Sequence, residues 1–213
     1  PDFTMPKTRE WWKGLYKDFL AKGIDGVWND MNEPAITTDE DWLPEDQRTG
    51  TMPEDTPHRG GGDLPAGPHK LYHNAYGRLM VESTRDAFME IYPDRRPFVL
   101  TRANLLGGHR YAATWTGDNW AGWDHLKLSV PMSLTLGLSG QPFNGPDIGG
   151  FLNNTEPDVW AHWIGFGAFL PFARGHACAG TNDKEPWAFG PEIEKSSRMA
   201  LERRYRLLPY FYT

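Results

Sequence analysis

The run Gly26-Val27-Trp28-Asn29-Asp30-Met31-Asn32-Glu33-Pro34 passes from apolar residues to a carboxylate, an amide and a second carboxylate stopped by proline. Ile24, Val27 and Trp28 predict a buried strand, with Gly23 and Gly26 where the backbone turns or is closely approached. Asp30 then lies near the carboxyl end of that strand. Barrels of parallel strands line their active-site mouth with side chains from that end, whereas an ordinary strand-to-helix loop uses Asp as a helix cap. The run from Tyr111 to Asn119 repeats the layout: a strand-like stretch, then Gly117, then Asp118, with Trp115 three positions earlier. Glycoside hydrolysis needs two carboxyl groups flanking one bond, one to protonate the leaving oxygen and one to bond or stabilise the anomeric carbon. The indoles of Trp28 and Trp115 suit the apolar faces of a sugar ring, and each also suits a packed core.

These side chains need elements to hold them. Trp11, Trp12, Leu15, Tyr16, Phe19 and Leu20 form a helical stripe over residues 7–22, and Gly23 stops it before the first strand. Residues 35–68 are rich in Asp, Glu, Thr, Pro and Gly and read as one long loop at the mouth of the site. A helix at 69–91 and a strand at 97–102 follow, the strand delivering Arg102 to the same end as Asp30. After Asp118 the pattern predicts a helix at 122–137, a strand at 139–144 leading to Asp147, and a helix at 156–168. A strand at 169–173 presents Arg174 and His176, and a helix at 191–211 closes the chain. Alternating strands and helices indicate an α/β fold with a parallel barrel or open sheet. Five strands cannot close an eight-stranded barrel, which takes about 250 residues. The expectation is therefore an incomplete (β/α)8 TIM barrel whose open edges make the chain poorly soluble by itself.

Several separated motifs, in order and over nearly the whole chain, resemble glycoside hydrolase family 31, the α-glucosidase and α-xylosidase family. Trp28-Asn29-Asp30-Met31-Asn32-Glu33-Pro34 is similar to its nucleophile signature, and Arg102, Gly108, Arg110, Tyr111, Trp115 and Gly117-Asp118-Asn119 to its arginine and acid/base segment. Gly145-Pro146-Asp147-Ile148-Gly149-Gly150-Phe151 resembles another family stretch, with Pro146 where alanine is usual. Pro171-Phe172-Ala173-Arg174-Gly175-His176 resembles a further one, with Gly175 where asparagine is common, and Lys184-Glu185-Pro186-Trp187 resembles the run that follows. The resemblance implies that residues 1–213 are part of a catalytic barrel, from about the fourth to the eighth strand-helix unit. It implies Asp30 as nucleophile and Asp118 as general acid and base. Trp28, Met31, Arg102, Trp115, Asp147, Phe151, Arg174 and His176 then bind substrate, and no cofactor is involved. Arg102 and Arg174 are the cations that would keep Asp30 ionised, while burial beside Trp115 and the Asp30 charge would keep Asp118 protonated. Glu33 orients Asp30 or a neighbouring arginine, or belongs to the turn before Pro34. The activity implied is exo-acting, retaining hydrolysis of terminal α-linked glucose from oligosaccharides. α-Xylosidase, transglycosylase, lyase and non-catalytic sugar-binding readings stand beside it.

Composition narrows the partners. A net charge of −6 and a pI near 5.6, without clustered Lys or Arg, exclude a nucleic-acid partner. Aromatic residues make up 14%, including ten Trp, which suits ring stacking and a large core alike. The one cysteine, Cys178, permits no intrachain disulfide and leaves the compartment open. There is no stretch of eighteen apolar residues, and Pro1-Asp2-Phe3-Thr4 does not resemble a signal region, so an export signal would have to lie upstream. Metal-binding signatures are absent; His69 and His73, four apart on the predicted helix, read as surface histidines on one face. Gly60-Gly61-Gly62 lacks the Lys-Ser/Thr of a phosphate loop.

Overall fold

The computed structural model describes residues 1–36 and 50–213. Positions 37–49 of the expected long loop lie outside the described residues. The chain divides into two compact units, Pro1–Ala113 and Thr114–Thr213. No helix among the described residues is long and apolar enough to cross a membrane.

The first unit opens with α1 (Pro6–Leu20), whose leading proline fits a first turn that needs no N–H partner. Its stripe is only partly buried: Tyr16 and Leu20 enter the core, while Trp11, Leu15 and Phe19 stay about half exposed. β1 (Gly26–Asn29) follows, then β2 (Pro57–His58) and β3 (Gly67–Pro68), an antiparallel pair inside the segment expected to be all loop. The predicted helix at 69–91 is a 3-10 turn, His69–Leu71, and then α2 (His73–Ile91). β4 (Phe98–Thr101) pairs in parallel with β1, from Gly26 opposite Phe98 to Asn29 opposite Thr101. Tyr16, Leu20, Val27, Val81, Phe88 and Val99 form the core between these helices and strands. Gly77 of α2 lies directly on the backbone beyond both strands: a Cβ there would stand 2.7 Å from Ala103 and 2.8 Å from the carbonyl oxygen of Asn32. Asn32, buried, donates to Thr101 Oγ1 at 2.9 Å, which ties the segment after β1 to the end of β4.

In the second unit, β5 (Ala113–Trp115) is followed by α3 (Trp123–Leu138) and β6 (Asn144–Gly145). β7 (Asp147–Ile148), α4 (Pro157–Gly167), β8 (Arg174–Gly175), α5 (Pro191–Arg206) and α6 (Leu208–Tyr212) complete it. β5 pairs with β6 and β7 with β8, both in parallel. Leu126, Ile148, Val159, Trp160, Trp163 and Ile164 make the core.

Three expected elements differ here, each for a local reason. The strand expected at 139–144 is a helix ending: Gly140 has φ +83°, Gly140 donates to Gly137, and Gln141 donates back to Leu136 at 2.9 Å, the Schellman closure. Only Asn144–Gly145 remains as strand, and Asp147 sits in the next short strand itself. The strand expected at 169–173 forms as Arg174–Gly175, because the preceding carbonyls are taken by a side chain. Arg204 of α5 donates to Ala168 O at 3.2 Å, to Pro171 O at 2.8 Å, and to Leu170 O. The helix expected at 191–211 breaks at Leu207, two residues before Pro209, which has no N–H to continue the ladder.

His69 is likewise not a surface residue: it is 1% exposed and belongs to a row of hydrogen-bonded rings. His58 Nδ1 lies 2.9 Å from Asp2 Oδ1, His58 Nε2 lies 3.0 Å from His69 Nδ1, and His69 Nε2 lies 3.3 Å from His73 Nδ1. A neutral imidazole has one donor and one acceptor. The carboxylate at the end only accepts, so the His58 Nδ1 facing it is a donor. No cluster of three metal-ligating groups occurs among the described residues.

Burial, and then the neighbouring His58 and His73, hold His69 below its ordinary pKa of 6.5, with Glu54 pulling weakly the other way. Burial pushes the Asp2 carboxyl up, but hydrogen bonds from the Thr4 hydroxyl, the Arg59 N–H, His58 and the Thr4 N–H together bring it down to about 2. Tyr76, whose phenol burial and the Asp2 charge push up to about 12, edges the rings of His58 and His69.

The unfolded chain takes up the His69 proton near pH 6.5 and the folded chain only at lower pH. Stability is therefore whole above that pH and declines as the pH falls below it. Asp2 adds a second loss as the pH drops from its ordinary 3.8 toward 2. The unfolding midpoint of the complete protein should fall between pH 6.5 and about 5, and His69→Gln should flatten that slope; a midpoint constant over the interval would contradict the lowered pKa of His69. Gly77→Ala should lower stability by about 1–3 kcal/mol in denaturant titration, because the methyl must displace backbone rather than a flexible side chain.

Candidate active site

Parallel pairing ends at Asn29 opposite Thr101, so Asp30 and Arg102 leave the sheet together. Arg102 Nε lies 3.6 Å from Asp30 Oδ1. The shorter bonds of the same guanidinium go to Glu33: Nε to Oε1 at 2.7 Å and Nη2 to Oε2 at 3.2 Å. This is the bidentate fork that fixes a guanidinium in both position and plane. Glu33, whose role the sequence left between orienting a neighbour and making a turn, is thus the clamp on Arg102. Asp30 Oδ1 also accepts the N–H of Met31 at 2.9 Å. Met31 itself has φ +52°, a left-handed conformation rare outside glycine and concentrated where a structure holds functional groups against local preference. Val27 and Asn29 point into the unit, and Trp28, alternating to the other face, is 41% exposed. Met31 and Asp30 are exposed as well. The first unit thus brings together Asp30 and Met31, which follow the strand that carries Trp28, and Arg102, which follows its partner strand β4.

The second unit brings together Trp115, Asp147, Phe151, Arg174 and His176. Asp147 and Arg174 face each other in the β7–β8 pair, and Arg174 Nη2 donates to Asp147 Oδ1 at 2.7 Å. The carboxylate is 0% exposed, an arrangement stable only with such a charged donor. The guanidinium carbon of Arg174 lies 5.3 Å from the Trp115 ring centroid and 5.4 Å from that of Phe172. Trp115 is therefore a buried ring under a cation. Phe151 and His176 stack with centroids 5.2 Å apart and an interplanar angle of 23°. Asp118 follows β5 and Gly117, whose φ is +88°, and it is exposed.

Asn119 connects these groups, and sequence reasoning assigned it nothing beyond membership of a motif. Its Nδ2 donates to Asp147 O at 3.0 Å, and its Oδ1 accepts the Phe151 N–H at 2.9 Å. Its own carbonyl accepts from Phe151 at 2.8 Å and Leu152 at 2.9 Å. The residue beside Asp118 is thereby fixed to the loop that carries Asp147 and Phe151. Gly150 lets that loop come close: its φ is +84°, and a Cβ would stand 2.4 Å from Ala121. The available signal was an amide next to the carboxylate in both motifs, Asn29 before Asp30 and Asn119 after Asp118. Both amides are buried.

Comparison with known proteins agrees with these motifs. The description "Glycosyl hydrolases family 31 TIM-barrel domain" matches residues 1–213. Alpha-glucosidase 2 of Bacillus thermoamyloliquefaciens is 42% identical over 213 residues, all of this chain and 26% of that protein. A probable glucan 1,3-alpha-glucosidase of Oryza sativa subsp. japonica is 46% identical over 217 residues, all of this chain and 22% of that protein. Among solved structures, the family 31 alpha-glucosidase of Bacteroides thetaiotaomicron superposes with a TM-score of 0.81 at 60% identity. That match covers all of this chain and 32% of the other. The chain thus spans between about a fifth and a third of the length of these relatives. The parallel strands and the helices between them are elements of a (β/α)8 barrel, and the chain belongs to glycoside hydrolase family 31, in its TIM-barrel domain.

Proposed function

We propose that residues 1–213 form part of the catalytic barrel of a retaining, exo-acting α-glucosidase that removes terminal α-linked glucose from oligosaccharides. The observation that carries this reading is Asp30, open at the end of β1, with Arg102 at 3.6 Å and the short bonds of Arg102 taken by Glu33. Arg102 supplies positive charge to the carboxylate without covering it. The α-glucosidase names of the relatives favour glucose over xylose as the sugar.

In the first step an Asp30 oxygen bonds to the anomeric carbon while the glycosidic C–O bond breaks and the Asp118 proton passes to the departing oxygen. In the second, water attacks the same carbon, its proton passes to Asp118, and the Asp30 carboxylate leaves. Two displacements return the configuration to α. This geometry asks for carboxyl groups roughly 5–5.5 Å apart in the complete protein. Trp28, Met31 and Phe151 contribute apolar walls, Arg102, Arg174 and His176 bind hydroxyls, and Trp115 and Asp147, both buried, serve the ring by holding Arg174. A pocket built on such donors rejects sugars that leave them unpaired.

Assay of the complete protein on aryl α-glucosides and aryl α-xylosides tests this directly. Glucoside hydrolysis is expected, and preference for the xyloside would establish the α-xylosidase reading instead. Asp30→Asn should lower kcat by about 10⁴-fold or more on every substrate. Asp118→Ala should cost far less on a dinitrophenyl glucoside, whose leaving group departs without a proton, than on maltose. Equal losses on the two substrates would remove Asp118 from the acid role. Glu33→Gln, which breaks one side of the clamp on Arg102, should reduce kcat/KM by roughly 10–100-fold at unchanged fold. Full activity in that variant would show that Arg102 needs no clamp.

A further inference from the structure

Lys184 is buried, at 7% exposure, and no step of the proposed reaction uses it. Its Nζ donates to Gly150 O at 2.6 Å and to Asn153 O at 2.9 Å. Those carbonyls belong to a loop that is costly to hold. Gly149 and Gly150 have φ +88° and +84°, and Asn153, with a side chain, has φ +68°.

Every carbonyl from Gly149 to Asn153 has a partner. Gly149 O accepts from Thr155 Oγ1 at 2.5 Å, Phe151 O from Cys178 N at 3.0 Å and Leu152 O from Ala121 N at 2.8 Å. Lys184 supplies the remaining two, and they are the carbonyls on either side of the Phe151–Leu152 pair. Gly150 is buried, and a buried carbonyl without a donor is rare and costly, so its conformation and the ammonium group require each other, while the bond to the more open Asn153 fixes the far end of the loop. The loop carries Phe151, which stacks on His176, and it follows directly on Asp147. Lys184 also sits in line with that wall through its backbone: a Cβ at Gly175, the residue before His176, would stand 3.6 Å from Lys184 O. Burial lowers the Lys184 pKa, and the neighbouring Cys178 and Asp147 act in the opposite sense.

We infer that Lys184 is a positioning residue for the sugar-binding wall: its ammonium group holds the Gly149–Asn153 loop in the conformation that sets Phe151 against His176. The inference rests on the α-glucosidase reading, since it concerns how that enzyme holds its substrate.

The test compares Lys184→Met and Lys184→Arg with the parent in the complete protein, on an aryl α-glucoside, well below the thermal transition. A purely structural role would lower the fraction of folded enzyme, and with it apparent kcat, but would leave KM where it was. Positioning predicts that KM rises by roughly tenfold in Lys184→Met, about the effect of one lost charge-assisted hydrogen bond. Arginine, which can donate to both carbonyls, should bring KM back to within about threefold of the parent. Should methionine prevent folding, Lys184→Gln takes its place: one amide donor for two carbonyls should still raise KM. An unchanged KM in the folded variant that lacks the ammonium group overturns the inference, as does a failure of arginine to restore it. A parent without α-glucosidase activity refutes the underlying reading and this inference with it, whereas an active parent with an unmoved KM refutes this inference alone.

Discussion

Parallel pairing is the constraint from which the rest of the site follows. Two strands that run the same way leave the sheet at the same edge, so Asn29 opposite Thr101 delivers Asp30 and Arg102 as neighbours. An antiparallel pair in the same register would send them to opposite ends. The same geometry sets Asp147 beside Arg174 in the second unit, and there it produces a different result. Arg174 donates directly to a wholly enclosed carboxylate, which makes a fixed structural pair. Arg102 gives its short bonds to Glu33 and faces Asp30 at 3.6 Å, which leaves the Asp30 carboxyl exposed and without a short bond to the cation. One backbone arrangement thus supports both a tight, enclosed pair and a looser, exposed one, and the carboxylate of Glu33 makes the difference.

Around these pairs the structure relies on two buried amides that bond on more than one side. Asn32 bridges the segment after β1 to the end of β4, and Asn119 bridges the segment after β5 to the backbone of Asp147 and Phe151. Each amide offers donors and an acceptor in one plane and can therefore address two segments at once. Net hydrogen-bond energies are modest, about 1 kcal/mol each, but a buried group left without its partner costs more than that. The result is specificity more than stability: few loop conformations satisfy the amides of both Asn32 and Asn119, and the observed one does.

How much of this the sequence discloses depends on the range of the interaction. Asp30, Asp118 and Arg102 are readable because a strand, a breaker and a carboxylate or cation adjoin one another in the chain. The strand expected at 169–173 is displaced because Arg204, some thirty residues later, takes its carbonyls, and no local pattern announces that. His69 reads as a surface residue from its spacing to His73. It is buried because Asp2 and His58 supply the rest of a hydrogen-bonded row from distant parts of the chain. The clamp by Glu33 falls between these cases. The residue stands in the motif, but its role depends on where Arg102 arrives, sixty-nine positions on.

The knot at Asn119 has a consequence for the helix that follows it. The chain is anchored at Asn119 before α3 begins and again at Asn144, whose amide donates to Ser133 O and Gln141 O after the helix ends. Leu134 and Leu138, toward the end of α3, are more than half exposed. Leu128, by contrast, borders the small cavity that Asp118 and Asn119 line, so anchoring α3 at both ends also fixes one wall of that cavity.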